Sequence, residues 1–189
     1  MPTQRRWERD DITSSAGVDC WMYLDEFDSP LGEIVLAGTA EALCTLDFGD
    51  CRDRMDRLLA RHWPGVEVER KPGFGDFKNR IAAYLDGDLE SLTAIRTDSR
   101  GAEFEELVWS FLRTITPGTT VSYGVLAARM GRAGAARAVG RANSQNPIAL
   151  VVPCHRVIGG DGSLTGYAGG LERKKWLLAH EGCGLADAR

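Results

Sequence analysis

Residues 122–157 read SYGVLAARMGRAGAARAVGRANSQNPIALVVPCHRV, and their pattern predicts how the second half of the chain is organised. Ser122 is a predicted N-cap for a helix through residue 130, and residues 131–134 form a short turn that contains glycine. A second helix is predicted over residues 135–143. Two short helices joined by such a turn indicate a helix-turn-helix.

The second helix of this pair carries two arginines on one face. Arg137 and Arg141 lie four residues apart, and most residues around them are small. Small side chains would let the helix backbone approach a groove of nucleic acid closely. Ordinary packing of the helix through its alanines is the alternative interpretation, and the helical pattern alone leaves both open.

The end of the same stretch places a cysteine directly after an apolar run. Residues 148–152 lack polar side chains and are predicted to be buried, so that they deliver Cys154 and His155 to a site. A cysteine is a strong nucleophile only as thiolate, and positive charge or a base must lower its pKa of about 8.5. His155 is the candidate base if a turn brings it to the same side. Glu181, at the end of the last predicted helix, is the candidate carboxylate that orients it. A buried structural cysteine beside a hydrogen-bonded histidine is the alternative.

The charges are unevenly distributed along the chain, whose net charge is −4. Residues 1–97 hold 12 Lys and Arg against 19 Asp and Glu, whereas residues 98–189 hold 11 against 8. A surface that faces phosphates excludes like charge. No acidic residue lies between Leu107 and Gly160, so this stretch favours an anionic partner; chance in an arginine-rich chain is the alternative. Its arginines are Arg113, Arg129, Arg132, Arg137, Arg141 and Arg156.

The first half of the chain is predicted to be a small α/β unit. Residues 1–19 have few large apolar side chains and are expected to form a disordered tail. Alternation and turn residues predict three strands, over residues 21–27, 33–37 and 42–48. Helical spacing predicts two helices, one through Met55, Leu58, Leu59 and His62, and one through Phe77, Ile81, Tyr84 and Leu85.

A connecting segment separates this unit from the second half. Residues 88–102 lack helical periodicity and are predicted to bridge the two. An apolar stripe at helical spacing indicates the next helix, and Pro117 is expected to end it. The stripe consists of Phe104, Leu107, Val108, Phe111 and Leu112. The predicted organisation is therefore an α/β domain over residues 20–97 and a mostly α-helical domain over residues 98–189.

The composition limits the class of protein. The longest apolar stretch, around residues 147–153, is far shorter than the ~20 residues that a membrane helix needs. The N-terminus, MPTQRRWERDD, carries charges where a signal peptide needs an apolar run, so a cytoplasmic location is expected. The cysteines are odd in number and lack CxxC spacing, which argues against a disulfide framework and a zinc site. They are Cys20, Cys44, Cys51, Cys154 and Cys183.

Five blocks of the sequence match one known family, in order and at its usual spacings: PGTTVSYGVLA, AARAVGRAN, NPIALVVPCHRVIG, GYAGG and KKWLLAHEG. Residues 117–182, which contain them, resemble the O6-alkylguanine-DNA alkyltransferase family in its bacterial Ogt-like form, and PCHRV is that family's active-site signature. The resemblance is strong from Phe104 onward, weaker over residues 20–100 and absent over residues 1–19. It implies a ribonuclease H-like N-terminal domain, a small sheet with helices. It also implies a mostly α C-terminal domain with the helix-turn-helix and the PCHRV segment.

The resemblance also implies roles for residues around the signature. Cys154 matches the alkyl acceptor, and His155 matches the base that takes the thiol proton through a water. Glu181 matches the carboxylate that orients and charges that histidine. Asn146 matches the residue that braces the active-site turn. Neither a metal nor a cofactor is expected, and Cys20, Cys44 and His62 do not reproduce the zinc ligands of some relatives.

Contacts with the damaged base follow from the same resemblance. Tyr123 matches the tyrosine that helps to rotate the target nucleotide and donates a hydrogen bond to the leaving guanine. The main-chain carbonyls of Cys154 and Val157 match acceptors for the guanine amine. Ala168 stands where some relatives carry serine or a bulky residue, so only its N–H is expected near O6. The wall of the pocket matches the GYAGG loop, through Gly166, Tyr167 and Ala168.

The implied partner is double-stranded DNA that contains O6-alkylguanine and is bound through its minor groove. The resemblance also implies a monomer that needs no obligate protein partner and that can bind cooperatively along DNA. A base inside a duplex hides O6, so the nucleotide must be extruded at a cost of about a few kcal/mol. Arg137 matches the finger that fills the gap in the base stack. The other implied DNA contacts are Gly124, Arg132, Ala136, Gly140, Arg141 and Gly160.

The implied function is DNA repair by one stoichiometric, irreversible alkyl transfer to Cys154, from O6-alkylguanine and from O4-alkylthymine. Three alternatives stand beside it. A non-catalytic alkyltransferase-like protein would recognise damage, but such proteins lack the acceptor cysteine. A cysteine hydrolase would turn over and would not need a stretch free of acidic residues. A helix-turn-helix transcription regulator would need a further domain, for which 189 residues leave no room.

Overall fold

The computed structural model describes residues 21–184, so the tail expected over residues 1–19 and also Cys20 lie outside the described residues. The first half forms a small sheet with helices, as predicted. Its elements are β1 (Trp21–Phe27), β2 (Ile34–Gly38), β3 (Leu43–Phe48), a 3₁₀ turn (Gly49–Cys51), α1 (Arg52–His62), β4 (Glu67–Arg70) and α2 (Phe77–Leu85).

The strands form one mixed sheet in the order β3-β2-β1-β4. The pairs β1–β2 and β2–β3 are antiparallel, and β4 pairs parallel with β1. The sequence did not predict β4. Its residues, EVER, are exposed except for half-buried Val68, so they show no apolar alternation by which a strand is recognised.

Strand β3, which the sequence predicted, is buried on both faces. Helix α1 packs against β3, and the second half of the chain covers its outer edge. The amide of Leu46 donates to the carbonyl of Pro147 at 2.9 Å, and the amide of Ala149 donates to the carbonyl of Leu46 at 2.9 Å. The apolar run before Cys154 therefore extends the sheet of the first half.

The second half is mostly helical, as predicted. One short parallel pair, β5–β6, joins the start of the helix-turn-helix to the residues after the cysteine. The elements are α3 (Glu103–Leu112), β5 (Val121–Ser122), α4 (Tyr123–Arg129), α5 (Ala136–Ser144), a 3₁₀ turn (Cys154–Arg156), β6 (Val157–Ile158) and α6 (Leu171–His180).

The sequence predicts that Pro117 ends helix α3, but the helix ends at Leu112, five residues earlier. The chain leaves the α-helical pattern because the amides of Thr114 and Ile115 donate to carbonyls three residues earlier. The side chain of Arg113 turns back to the connecting segment, where it binds the carbonyls of Thr93 and Ile95. Polar contacts thus end this helix before the proline does.

Helices α4 and α5 pack together as the predicted helix-turn-helix. Ser122 caps α4 by accepting a hydrogen bond from the amide of Val125 at 3.2 Å, as predicted. In α5, Val139, Ala142 and Asn143 face the interior, whereas Arg137 and Arg141 are exposed. One hydrophobic cluster runs through both halves of the chain and holds the helix-turn-helix against the sheet.

Candidate active site

The side chain of Asn146 curls residues 146–153 into a compact turn. Its Nδ2 donates to the carbonyl of Val152 at 2.8 Å, and its Oδ1 accepts from the amide of Ile148 at 3.0 Å. Asn146 is fully buried. Leu150 has a φ of +68°, a left-handed conformation that is unfavourable for a branched side chain and must be held by the surrounding contacts.

Cys154 begins the 3₁₀ turn that follows, so the cysteine and its neighbours are not in the extended conformation. Its side chain is buried, and burial raises the pKa of the thiol above its ordinary value. A hydrogen bond with Asn146 and the charges of Arg54 and Lys174 lower the pKa only in part. The resting group is therefore a thiol. A base must therefore take this proton before the sulfur can act as a nucleophile.

His155, the next residue, is paired with Glu181. Nε2 of His155 lies 2.9 Å from Oε1 of Glu181, and both side chains are fully buried. A carboxylate only accepts hydrogen bonds, so Nε2 carries the proton. Burial lowers the pKa of His155, and the bond with Glu181 raises it only in part, so the ring is neutral. Nδ1, which has no hydrogen-bond partner among residues 21–184, therefore presents a lone pair that can accept a proton.

Two further side chains surround the carboxylate of Glu181. Arg156 donates from Nε to Oε2 at 2.9 Å and from Nη2 to Oε1 at 2.8 Å, and Tyr84 donates its hydroxyl to Oε1 at 2.6 Å. Burial acts to raise the pKa of Glu181, but the bonds from His155 and Arg156 outweigh burial and hold the pKa well below its ordinary value. Glu181 thus stays ionised beside the histidine ring.

Lys174 is a buried cation that the sequence analysis did not single out. Its Nζ donates to the carbonyls of Val157 at 2.6 Å and Thr165 at 2.7 Å. Burial lowers the pKa of Lys174 to about 8. The carbonyl of Val157, predicted to accept from guanine, is thus already bonded to a cation. The carbonyl of Cys154 already accepts from the side-chain amide of Asn143 at 3.5 Å. The same carbonyl also accepts from the main-chain amide of Val157, so a guanine amine must share or displace these donors.

Tyr123, the first residue of α4, lies between α5 and the GYAGG loop. Its ring faces Gly140, where a β-carbon would lie 3.7 Å from it, and its hydroxyl would lie 3.9 Å from a β-carbon at Gly166. Burial raises the pKa of Tyr123, although hydrogen bonds with Thr165 and Asn143 lower it in part. The hydroxyl therefore keeps its proton and can donate it to a bound group.

The loop brings a second tyrosine to the histidine. The rings of Tyr167 and His155 meet edge to face, with their centroids 6.4 Å apart. The hydroxyl of Tyr167 is buried and has no hydrogen-bond partner within the described part of the chain. Ala168 and Gly166 are exposed. Negative charge on Cys154 acts to raise the pKa of both Tyr123 and Tyr167, so these two tyrosines lie near the sulfur.

The residues predicted to contact DNA differ in their exposure to solvent. Arg132, Arg137, Arg141, Gly124 and Gly160 are exposed, and Ala136 and Gly140 are half-buried beside them. Two arginines of the stretch without acidic residues point inward, Arg113 to the connecting segment and Arg156 to Glu181. The exposed arginines of that stretch all lie on the helix-turn-helix, and they are Arg129, Arg132, Arg137 and Arg141.

A side chain from the first half reaches the turn of Asn146, and sequence reasoning missed it. Arg54 on α1 donates through Nη2 to the carbonyls of Asn146 at 2.7 Å and Ser144 at 3.1 Å. Its Nη1 pairs with the buried carboxylate of Asp47. Nothing in the spacing of α1 marked Arg54, because its partners lie about ninety positions away.

Residues 21–184 contain neither a metal-ligand cluster nor a membrane-spanning helix. No group of three or more His, Cys, Asp and Glu side chains there could hold a metal ion. Cys44 and His62 lie in or beside the packing between the sheet and α1, where His62 binds the carbonyl of Arg100. No helix in the same range is long and apolar enough to cross a membrane.

Comparisons with known proteins agree with this arrangement. Residues 22–99 match the family model described as 6-O-methylguanine DNA methyltransferase, ribonuclease-like domain, and residues 103–183 match the DNA binding domain of the same family. The ribonuclease-like description agrees with the ribonuclease H-like fold predicted for the first half, and the fold class is confirmed. The domain boundary between residues 97 and 98 stays a prediction.

Curated relatives and solved structures give the same result. Proteins named methylated-DNA--protein-cysteine methyltransferase are 45% identical in Salmonella typhimurium, over 84% of this chain and 94% of the relative, and 47% identical in Mycolicibacterium paratuberculosis, over 82% and 88%. The structure of Mycobacterium tuberculosis OGT in complex with DNA is 40% identical, with a TM-score of 0.70, and the match covers 85% of this chain and 92% of that one. The chain therefore belongs to the 6-O-methylguanine-DNA methyltransferase family.

Proposed function

We propose that this chain repairs DNA by moving the alkyl group of O6-alkylguanine onto Sγ of Cys154, once per molecule and irreversibly. The observation that carries the proposal is the neutral His155 ring, held by Glu181 and open at Nδ1, directly after a buried thiol. The names of the relatives, which state transfer from methylated DNA to a protein cysteine, support the same reaction.

The reaction is a displacement at the alkyl carbon. The thiol proton passes through a water to Nδ1 of His155, and the sulfur attacks the alkyl carbon. The S–C bond forms as the C–O6 bond breaks, and the electron pair leaves on guanine. The imidazolium that forms faces the carboxylate of Glu181, which the low pKa of that group keeps ionised. This pairing stabilises the charge that develops during attack.

The leaving guanine needs a proton, and Tyr123 supplies it. Its pKa is raised by burial, so the hydroxyl is protonated when the base arrives. Tyr123 recovers a proton from the imidazolium through the same bridging water. The thiol proton therefore ends on guanine, and the products are a neutral base and a neutral thioether. A thioether has no activated bond to hydrolyse, so the protein is consumed.

The proposed DNA contact is through α5 in the minor groove. Arg137 and Arg141 are exposed on this helix, and the small residues Ala136 and Gly140 lie between them and the body of the protein. Arg137 would fill the stack left by the extruded nucleotide. The DNA bound to the Mycobacterium tuberculosis relative supports DNA binding by this half of the chain. The protein acts as a monomer without an obligate partner, and cooperative binding along DNA extends this proposal.

The proposal extends to O4-alkylthymine. Its alkyl carbon is also bonded to an exocyclic oxygen beside a ring nitrogen, so the same displacement applies. Thymine lacks the amine that the carbonyls of Cys154 and Val157 would accept from, so we expect slower transfer from thymine than from guanine.

The mass of the peptide that contains Cys154 tests the proposal. After incubation with a duplex that contains O6-methylguanine, this peptide should gain one methyl group, with one group per protein molecule at excess DNA. A matched duplex with ordinary guanine is the control. Release of methanol with repeated turnover would indicate a hydrolase instead. An unchanged peptide together with tight binding to the damaged duplex would indicate a non-catalytic binder.

A further inference from the structure

The first turn of α6 holds the GYAGG loop, residues 166–170, from both ends. Lys174 donates to the carbonyl of Thr165, just before the loop, at 2.7 Å. Arg173 donates through Nη1 to the carbonyl of Gly169, near the end of the loop, at 2.9 Å. Two adjacent cations therefore fix where the loop runs past His155.

Arg173 also binds three groups of the first half of the chain. Its Nε donates to the carbonyl of Leu31 at 2.8 Å, and its guanidinium pairs with the carboxylate of Asp50 at 3.0 Å. The guanidinium also lies over the ring of Phe48, 4.3 Å from its centroid. The planar fork of arginine suits such simultaneous contacts, which a single ammonium group cannot reproduce. Arg173 thus links the loop to the sheet of the first half.

The loop itself touches the same region of the first half. Gly169 lies so close to Phe48 that an added β-carbon would come within 2.5 Å of the ring. The thiol of Cys51 donates to the carbonyl of Ala168 at 3.6 Å. Contacts from β3 and the 3₁₀ turn after it therefore set the distance between Ala168 and the rest of the pocket.

We infer that Arg173 and Asp50 are positioning residues through which the first half of the chain sets the alkyl-size preference of the pocket. This inference rests on the proposed function. Tyr167 of the same loop meets His155 edge to face and lies near Cys154, so the loop forms a wall of the proposed pocket. A small methyl group needs that wall close for its carbon to be held in line, whereas a benzyl group fills a wider pocket by its own contacts.

The test compares two duplexes that differ only in carrying O6-methylguanine or O6-benzylguanine at the same position. Single-turnover rates at saturating protein are measured for wild type, Arg173→Ala, Arg173→Lys and Asp50→Ala. Lys175→Ala, which removes an exposed cation from the same helix, is the matched control. We expect Arg173→Ala to slow methyl transfer by about 10- to 100-fold, the range for a small misplacement of reacting groups. The factor by which the rate of benzyl transfer falls should be at least ~5 times smaller than the factor for methyl transfer.

Asp50→Ala should shift the same ratio in the same direction, and the double variant should show less than the product of the two single effects. Arg173→Lys should fall between wild type and Arg173→Ala. Lys175→Ala should keep both rates. Because the side chain of Asp50 is 63% exposed, Asp50→Ala should fold normally. This variant therefore tests the inference even if Arg173→Ala fails to fold.

Equal loss of both rates in Arg173→Ala and Asp50→Ala, or an unchanged ratio in both, would overturn the inference and leave the proposed function standing. A wild-type protein that takes up an alkyl group from neither duplex would overturn the proposed function, and the inference with it. Affinity for an undamaged duplex should stay within about twofold of wild type in every variant, because none of these residues lies on the helix-turn-helix.

Discussion

The hydroxyl of Tyr84 donates to Oε1 of Glu181 at 2.6 Å, joining α2 of the first half to the end of α6. The same oxygen lies 2.9 Å from Nε2 of His155. The carboxylate that orients the histidine is therefore itself fixed from the first half of the chain. Because Tyr84 and Arg156 hold the carboxylate, it does not need to move when the histidine gains a proton.

Glu181→Gln should slow alkyl transfer more than it weakens DNA binding. The neutral amide cannot stabilise the imidazolium, so we expect a loss of about 10²- to 10⁴-fold in the single-turnover rate. Tyr84→Phe removes one hydrogen bond to the carboxylate but keeps its charge, and should cost far less. A rate for Glu181→Gln within about a factor of two of wild type would remove Glu181 from the mechanism.

Cys154→Ser should abolish transfer and leave DNA binding largely intact. The thiol is the proposed acceptor, whereas the exposed arginines of the helix-turn-helix carry the proposed groove contacts. Mass spectrometry and a binding titration on the same damaged duplex measure the two properties. An adduct mapped to Cys20, Cys44, Cys51 or Cys183 would contradict the assignment of the acceptor.

Arg137→Ala should lower the saturating rate on duplex DNA far more than the rate on free O6-alkylguanine. The free base leaves no gap in a stack, so it does not need the arginine. Arg141→Ala, on the same exposed face of α5, is the matched comparison. Arg141→Ala should lower the affinity for DNA, and it should reduce the salt dependence of binding by about one phosphate contact. The rate at saturating DNA should stay unchanged. An unchanged saturating duplex rate in Arg137→Ala would exclude it from nucleotide extrusion.

Acid should destabilise the protein through His155. Burial lowers its folded-state pKa below the ordinary 6.5, so below that pH the unfolded chain binds a proton that the folded protein does not. Stability is therefore complete above about pH 6.5 and falls as the pH drops, by up to ~1.4 kcal/mol per pH unit for one proton. The pKa of Glu181 is also lowered in the folded protein, so stability keeps falling as the pH drops below 4.5, the ordinary pKa of this carboxyl.

Urea unfolding of wild type and His155→Gln at a series of pH values between about 8 and 5 measures this contribution. The variant lacks the titrating ring, so its free energy of unfolding should fall less steeply over this window. Equal slopes for the two proteins would show that His155 does not carry the acid sensitivity.

Most of the fold could be predicted because its elements have periodic apolar faces. Helices α1, α2 and α3 follow from apolar spacing, and the cap at Ser122 follows from the preference of serine for the N-cap position. Strand β4 could not be found, since its side chains are largely exposed, and the burial of both faces of β3 depends on a segment about a hundred positions away. Helix α3 ends before Pro117 because of contacts that Arg113 makes with the connecting segment.

The site divides in a similar way. The motif around Cys154 and the position of Glu181 pointed to a cysteine, a base and a carboxylate, and the structure pairs His155 with Glu181 directly after the buried cysteine. Tyr84, Lys174 and Arg54 were missed because their partners are distant in sequence or are main-chain carbonyls, which leave no pattern in the sequence. Burial of Cys154, which raises the pKa of its thiol despite the nearby positive charges, likewise depends on the tertiary fold.

The seam between β3 and the segment before Cys154 determines how the two halves can separate. The amides of Leu46 and Ala149 are bonded across it, each at 2.9 Å. Opening the halves would break these bonds and expose a bare sheet edge, which is a template for aggregation. Both amide hydrogens should therefore exchange with solvent only when the whole molecule opens, as slowly as those of the central strands. Cys154, the proposed acceptor, is then carried by one of the last parts of the protein to unfold.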